Sequence, residues 1–220
     1  MLELLMQGTI FLWVIFLSSI IAVGVALERW QAMRRADVDA DSLLDDLHDA
    51  IEAGDVDNAI ELCEETTGPV AETLAVGLRK LRFLVRIGKG GEDIEKGIVQ
   101  AMEEHSGQVI NVLERNLTVL ATVASMAPIL GMLGTVVGMI MAFGSIHSSG
   151  NLSGEAVAGG ISEALLCTAA GLIVAAIATV AFNYFTTRVN RFVLQIQAAG
   201  TEMVELLLDV QSRTANAEQA

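Results

Sequence analysis

The chain has 220 residues, 53% hydrophobic and 18% charged, with 27 acidic against 13 basic side chains and a formal net charge of −14. Such an acidic balance argues against a nucleic-acid partner, and uncharged runs of bilayer-spanning length argue against an ordinary water-soluble domain. Two cysteines and three scattered histidines (His48, His105, His147) support neither a disulfide framework nor a metal site.

The first predicted element is an uncharged run from Leu4 to Leu27, long enough for a membrane helix. Glu3 precedes it with no Lys or Arg, and no small-residue cleavage site follows, so it reads as a retained span rather than a signal peptide. We place an external N-terminus at 1–9 and the first transmembrane helix at 10–28. Glu28, Arg29, Trp30, Arg34 and Arg35 then form an interfacial collar.

A cytoplasmic helical region follows over 29–91. Ser42 can cap a helix that runs to about Ala53 and stops at Gly54. Asp55 opens a second helix through Glu65, and Thr67-Gly68-Pro69 precedes a third, from Pro69 to about Val85. Of the 27 acids, 20 lie between Glu28 and Glu114, which reads as a solvated helical surface. This region by itself looks too small and too polar to bury much core, so association between subunits is expected to support it. Cys63 within it and Cys167 within a span read as packing residues.

Beyond the turn at Gly88, Gly90 and Gly91, apolar spacing at Ile94, Ile98, Met102, Val109 and Leu113 continues without a proline. We therefore expect one long helix over 92–143 that contains the second span. An external turn is expected at 144–155, a second long helix over 156–212 containing the third span, and a cytoplasmic tail at 213–220. The fold class is thus an all-α membrane protein with three transmembrane helices, two of them long and extending into the cytoplasm. Ten of the 13 basic residues lie between Arg29 and Arg115, and none lies in 1–9 or in the hairpin turn, which puts the N-terminus outside and the C-terminus in the cytoplasm.

Between Arg115 and Arg188 only Glu155 and Glu163 carry charge. The second span holds Gly131, Gly134 and Gly138, and the third holds Gly171, near the small-x-x-x-small spacing that lets helices approach closely in lipid. Pro128 removes one backbone hydrogen bond and is a candidate kink. At about 1.5 Å rise per residue, Thr135 lies roughly 12 Å and Thr168 roughly 16 Å from the outer boundary. Two hydroxyls at similar depth suggest a polar ring in a pore. An acid inside a span costs roughly 2.5 to 3.5 kcal/mol and marks a cavity or a partner, so Glu163 joins the candidates. It stands about 140° around the helix from Thr168, and both cannot face one axis.

The stretches Ala127 to Met139 (APILGMLGTVVGM), Ala142-Phe143, Gly159 to Leu172 (GGISEALLCTAAGL) and Asn183 resemble the ExbB/TolQ/MotA proton-channel superfamily, closest to its ExbB/TolQ branch. The cytoplasmic pattern at Gly54-Asp55, Ala59, Cys63, Gly68-Pro69 and Gly77-Leu78 resembles it too. The resemblance implies a homopentamer in the bacterial inner membrane. Its pore would enclose an ExbD/TolR-like partner with a single span and an intramembrane aspartate, usually as a dimer. Thr135 and Thr168 would line the proton path, and the glutamate matched by Glu163 is implicated as well. Where the family commonly has Ala-Ile-Pro, this chain reads Ala175-Ala176-Ile177, so no proline kink is encoded there. No enzymatic constellation and no cofactor is expected. The alternatives are a non-conducting scaffold for a single-span partner and a sodium-driven member of the superfamily.

Overall fold

In the computed structural model, residues 10–36, 40–149 and 154–218 are described, and all of their regular structure is helical. The described residues form seven helices in order: α1 (Ile10–Ala36), α2 (Ala40–Glu52), α3 (Val56–Glu65), α4 (Pro69–Arg86), α5 (Gly91–Glu114), α6 (Leu117–Ser149) and α7 (Gly154–Glu218). Among the described residues three stretches are long and apolar enough to cross a membrane: Ile10–Ala36, Leu117–Gly144 and Ala158–Leu207. The expected external segment 1–9 lies outside the described residues, as does part of the expected turn at 144–155.

The chain divides into two compact units, the first comprising Met1–Trp30 and Asn116–Thr186, the second Gln31–Arg115 and Thr187–Ala220. In the first, α1 packs Leu12 and Ile15 against Cys167 of α7, with Leu130, Ala170 and Val174 around them. Its other faces expose Phe16, Leu17, Ile20, Ile140, Ile173 and Val180. A water-soluble domain would not tolerate that much exposed apolar surface, whereas a lipid-facing one requires it.

The second unit has a substantial core, contrary to the expectation drawn from its polarity. Leu43, Leu47, Ile60, Leu74, Leu78, Ile98 and Met102 are buried together with Ile196, Ala199 and Met203 of α7. The end of α7, far away in sequence, supplies a further apolar face against which the stripes of the four shorter helices pack. Gly77 makes this possible: a Cβ there would stand 2.7 Å from both the Met102 sulfur and the Met203 methyl. Ser42 does not cap α2, which already starts at Ala40, but the later turns follow the sequence. Asp55 caps α3 by accepting the Asn58 N–H at 3.0 Å. Gly54 (φ +76°) and Gly88 (φ +70°) take the left-handed conformation that closes α2 and α4, with the paired backbone bonds Asp55 N–H to Ala50 and Lys89 N–H to Leu84.

The single long helix expected over 92–143 is in fact two. α5 ends at Glu114 and α6 starts at Leu117, because Asn116 adopts φ +67°, the one positive φ among described non-glycine residues. Asparagine is among the few L-residues that tolerate this region, and neither glycine nor proline announces the break. α7, by contrast, runs unbroken past Ile177, as a chain without the family proline should. Its helix also continues to Glu218, beyond the boundary expected at 212, and α1 extends eight residues beyond 28.

Candidate functional site

The hairpin α6/α7 is held by its smallest residues. A Cβ on any of these glycines would meet the facing helix: Gly171 against the Ala127 carbonyl oxygen (2.5 Å), Gly131 against the Thr168 Cα (3.1 Å), Gly134 against the Cys167 sulfur, and Gly138 against the Ala164 Cβ (2.9 Å). These contacts define an antiparallel register in which residue numbers rise on one helix as they fall on the other. Each glycine removes the side chain that would hold the backbones apart, and dispersion between them replaces the hydrophobic driving force that lipid cannot supply. Cys167 is part of this seam, buried and unpaired, and Cys63 is buried in the core of the second unit.

The close approach positions the hydroxyls. With the α7 backbone against Gly131, Thr168 Oγ1 donates across the seam to the Gly131 carbonyl at 3.0 Å. Thr135 Oγ1 donates to Met132 of its own helix at 2.6 Å. Two hydroxyls therefore converge on adjacent carbonyls of a single turn of α6. They are not bonded to each other, and Thr135 sits about 6 Å nearer the hairpin turn than the level at which Thr168 meets α6. Both are partly buried.

Glu163 lies five residues before Thr168 on α7 and is also partly buried. The buried line Ala164, Cys167, Gly171 runs between the two, so Glu163 is on the opposite flank of the seam, about 140° around the helix. Neither threonine donates to it. Pro128 is inside α6, which continues through it; one turn later come the two carbonyls that receive the threonine hydroxyls. Local sequence reasoning overlooked three more hydroxyls on the N-terminal half of α6. Thr118, Thr122 and Ser125 are all exposed in the chain, with Thr122 bonded back to Thr118 at 2.8 Å and Ser125 to Ala121 at 3.1 Å. Their spacing of four and three residues was the available signal, since it puts all three on one helix face.

The chemistry of the site follows from who donates. Each threonine has one O–H, and both are committed to backbone carbonyls, so what they offer outward is lone pairs. Such a surface accepts from a protonated carboxyl or hydronium, or coordinates a small cation, and it repels an anion. Among the described residues no group of His, Cys, Asp and Glu is arranged to hold a metal ion.

The sequence model of the MotA/TolQ/ExbB proton channel family matches residues 65–198. The chain is 31% identical over 206 residues to a biopolymer transport protein, ExbB-like 1, of Synechocystis sp., a match that covers 92% of this chain and 77% of that one. It is 37% identical over 120 residues to the Tol-Pal system protein TolQ of Haemophilus influenzae, covering 54% and 53% of the two chains. Over 103 residues it is 42% identical to the biopolymer transport protein ExbB of Xanthomonas campestris, covering 47% and 39%. The chain thus spans about half or less of the TolQ and ExbB relatives and about three quarters of the ExbB-like one.

Proposed function

The chain belongs to the MotA/TolQ/ExbB proton channel family, and from that premise we propose that it is the wall-forming subunit of a proton-driven motor. Five copies surround the single spans of an ExbD/TolR-like partner in the bacterial inner membrane, with the N-terminus outside and the C-terminus in the cytoplasm. Proton passage is coupled to mechanical work on an outer-membrane or envelope system. The observation that carries this reading is the pair of hydroxyls committed to adjacent carbonyls of α6. They leave acceptor oxygens for the proton of a partner's carboxylic acid, and that acid is the group a single-span partner of this family would bring. At roughly 2.3 kcal/mol per charge per 100 mV, each proton crossing delivers enough free energy for one small conformational or rotational step. Glu163, across the seam from Thr168, shapes or gates the path in this scheme and does not carry the proton alone.

The test uses the chain purified with its single-span partner and reconstituted in liposomes containing a pH-sensitive dye. Thr135→Val and Thr168→Val are expected to lower proton flux at least tenfold, and Thr168→Ser to retain most of it. Unchanged flux in both valine variants would leave only a scaffold role. Flux that follows a sodium gradient in place of a proton gradient would assign sodium as the coupling ion.

A further inference from the structure

The seam of small residues fixes α6 to α7 from Ala127 outward, but the inner part of α6 has no such glycine contacts. That end is packed through Leu117, Leu120 and Val123, which are buried, and a polar contact is added to them. Asn116, directly before α6, could cap its own helix, as asparagine usually does at this position. Instead its Nδ2 donates to the Glu28 Oε2 of α1 at 2.9 Å, while the first turn of α6 closes through the backbone, Val119 N–H to the Asn116 carbonyl at 3.1 Å. Glu28 is itself held: its Oε1 accepts from Arg29 Nη2 at 2.7 Å, and Arg29 is only 7% exposed. The left-handed backbone at Asn116 (φ +67°) is a sparsely populated conformation, which persists only where the surroundings determine it.

We propose that Asn116 and Glu28 are a positioning pair for the ion path, a latch that sets the rotation of the inner half of α6 by tying the residue that precedes it to α1. This rests on the conducting function proposed above. The face at stake carries Thr118, Thr122 and Ser125, all exposed, with the Thr122 and Ser125 hydroxyls donating to carbonyls of α6 itself. The seam holds α6 only from Ala127 on, and Pro128, which donates no backbone N–H, is where the two halves can turn relative to each other, so a change of rotation at residue 116 turns the three hydroxyls together. The latch recognises no ligand; it orients acceptors that do. The half-exposed carboxylate of Glu28 accepts from both sides, from a guanidinium on its own helix and from the amide of Asn116, and so links Asn116 to α1.

Reversing the bond tests this. Asn116→Asp sets a second carboxylate against Glu28, and Asn116→Gly keeps the left-handed backbone while deleting the side chain. Glu28→Gln combined with Asn116→Asp restores one hydrogen bond with donor and acceptor exchanged. Spin labels at Leu27→Cys and Met126→Cys, both exposed positions, report the placement of α6 on α1, and proton flux of the full complex in liposomes reports the path. Both single variants at 116 are expected to broaden the label distance and lower flux at least fivefold. The double exchange is expected to return a narrow distance and flux within twofold of the parent. An unchanged distance in Asn116→Asp and Asn116→Gly, or a double exchange no better than Asn116→Asp, would overturn the latch. Distances that broaden and recover as expected, in a complex that never conducts even as the parent, would uphold the latch and overturn the conducting function instead.

Discussion

Gly171→Ala is the most informative single change, because it breaks a hydrogen bond that it does not touch. The added Cβ would stand 2.5 Å from the Ala127 carbonyl oxygen and 3.2 Å from the Gly131 Cα, and these are backbone atoms with no rotamer to yield. Restoring an ordinary contact near 3.4 Å requires α6 and α7 to part by about 0.9 Å at this level. Thr168 is one turn away on the same helix, and its 3.0 Å bond to Gly131 stretches with the seam to roughly 3.9 Å, beyond hydrogen-bonding reach. Overpacking of this kind costs about 1–3 kcal/mol, and the lost interhelical bond adds about 0.6–1.7 kcal/mol. Thermal or detergent denaturation should therefore show a destabilisation of about 2–4 kcal/mol together with a fall in proton flux comparable to that of Thr168→Val. Gly24→Ala is the control: nothing lies within 4 Å of its added methyl, and better helix propensity predicts a small gain in stability. A Gly171→Ala protein as stable as the parent would refute the claim that the glycines set the seam and, through it, the hydroxyl.

Other expectations concern the second unit. Burial, and after it the neighbouring Glu64 carboxylate, push the Cys63 thiol up to about 12. The folded value then exceeds the unfolded one of about 8.5, so this stabilisation is fully present below pH 8.5 and is lost as pH rises toward 12. Cys63→Val should flatten the alkaline limb of a stability–pH profile, and native Cys63 should resist alkylation at pH 8 until the protein is unfolded. Asp55→Ala removes the α3 cap and should cost about 1 kcal/mol, seen as roughly fivefold faster hydrogen exchange in α3. Gly77→Leu should disrupt the Met102 and Met203 packing and release the end of α7, which loss of helical protection around Ala199 would report.

Much of this was legible along the chain. Spans are local properties, set by runs of apolar residues that exceed the bilayer thickness, and three of them were readable directly. Turns were readable for the same reason: Gly54, Asp55, Gly68 and Gly88 act within a few residues of themselves. The break at Asn116 was not, since the residue stands in a helical pattern and its partner Glu28 is 88 positions away. Similarly, the polar surface of α2 to α5 concealed a real core, whose missing face arrives from Ile196 to Met203.

Sequence by itself determined the all-helical class, the three spans, the acidic exterior and the residue types of the hairpin seam, because length, charge and periodicity need no knowledge of distant neighbours. Tertiary structure alone decided that the Thr168 hydroxyl donates to the Gly131 carbonyl, 37 residues away, and that α6 starts afresh after a residue tied to α1. Those are pairings between helices, and hydroxyl or amide direction is set by how closely two backbones approach, a quantity that no single helix carries in its own pattern.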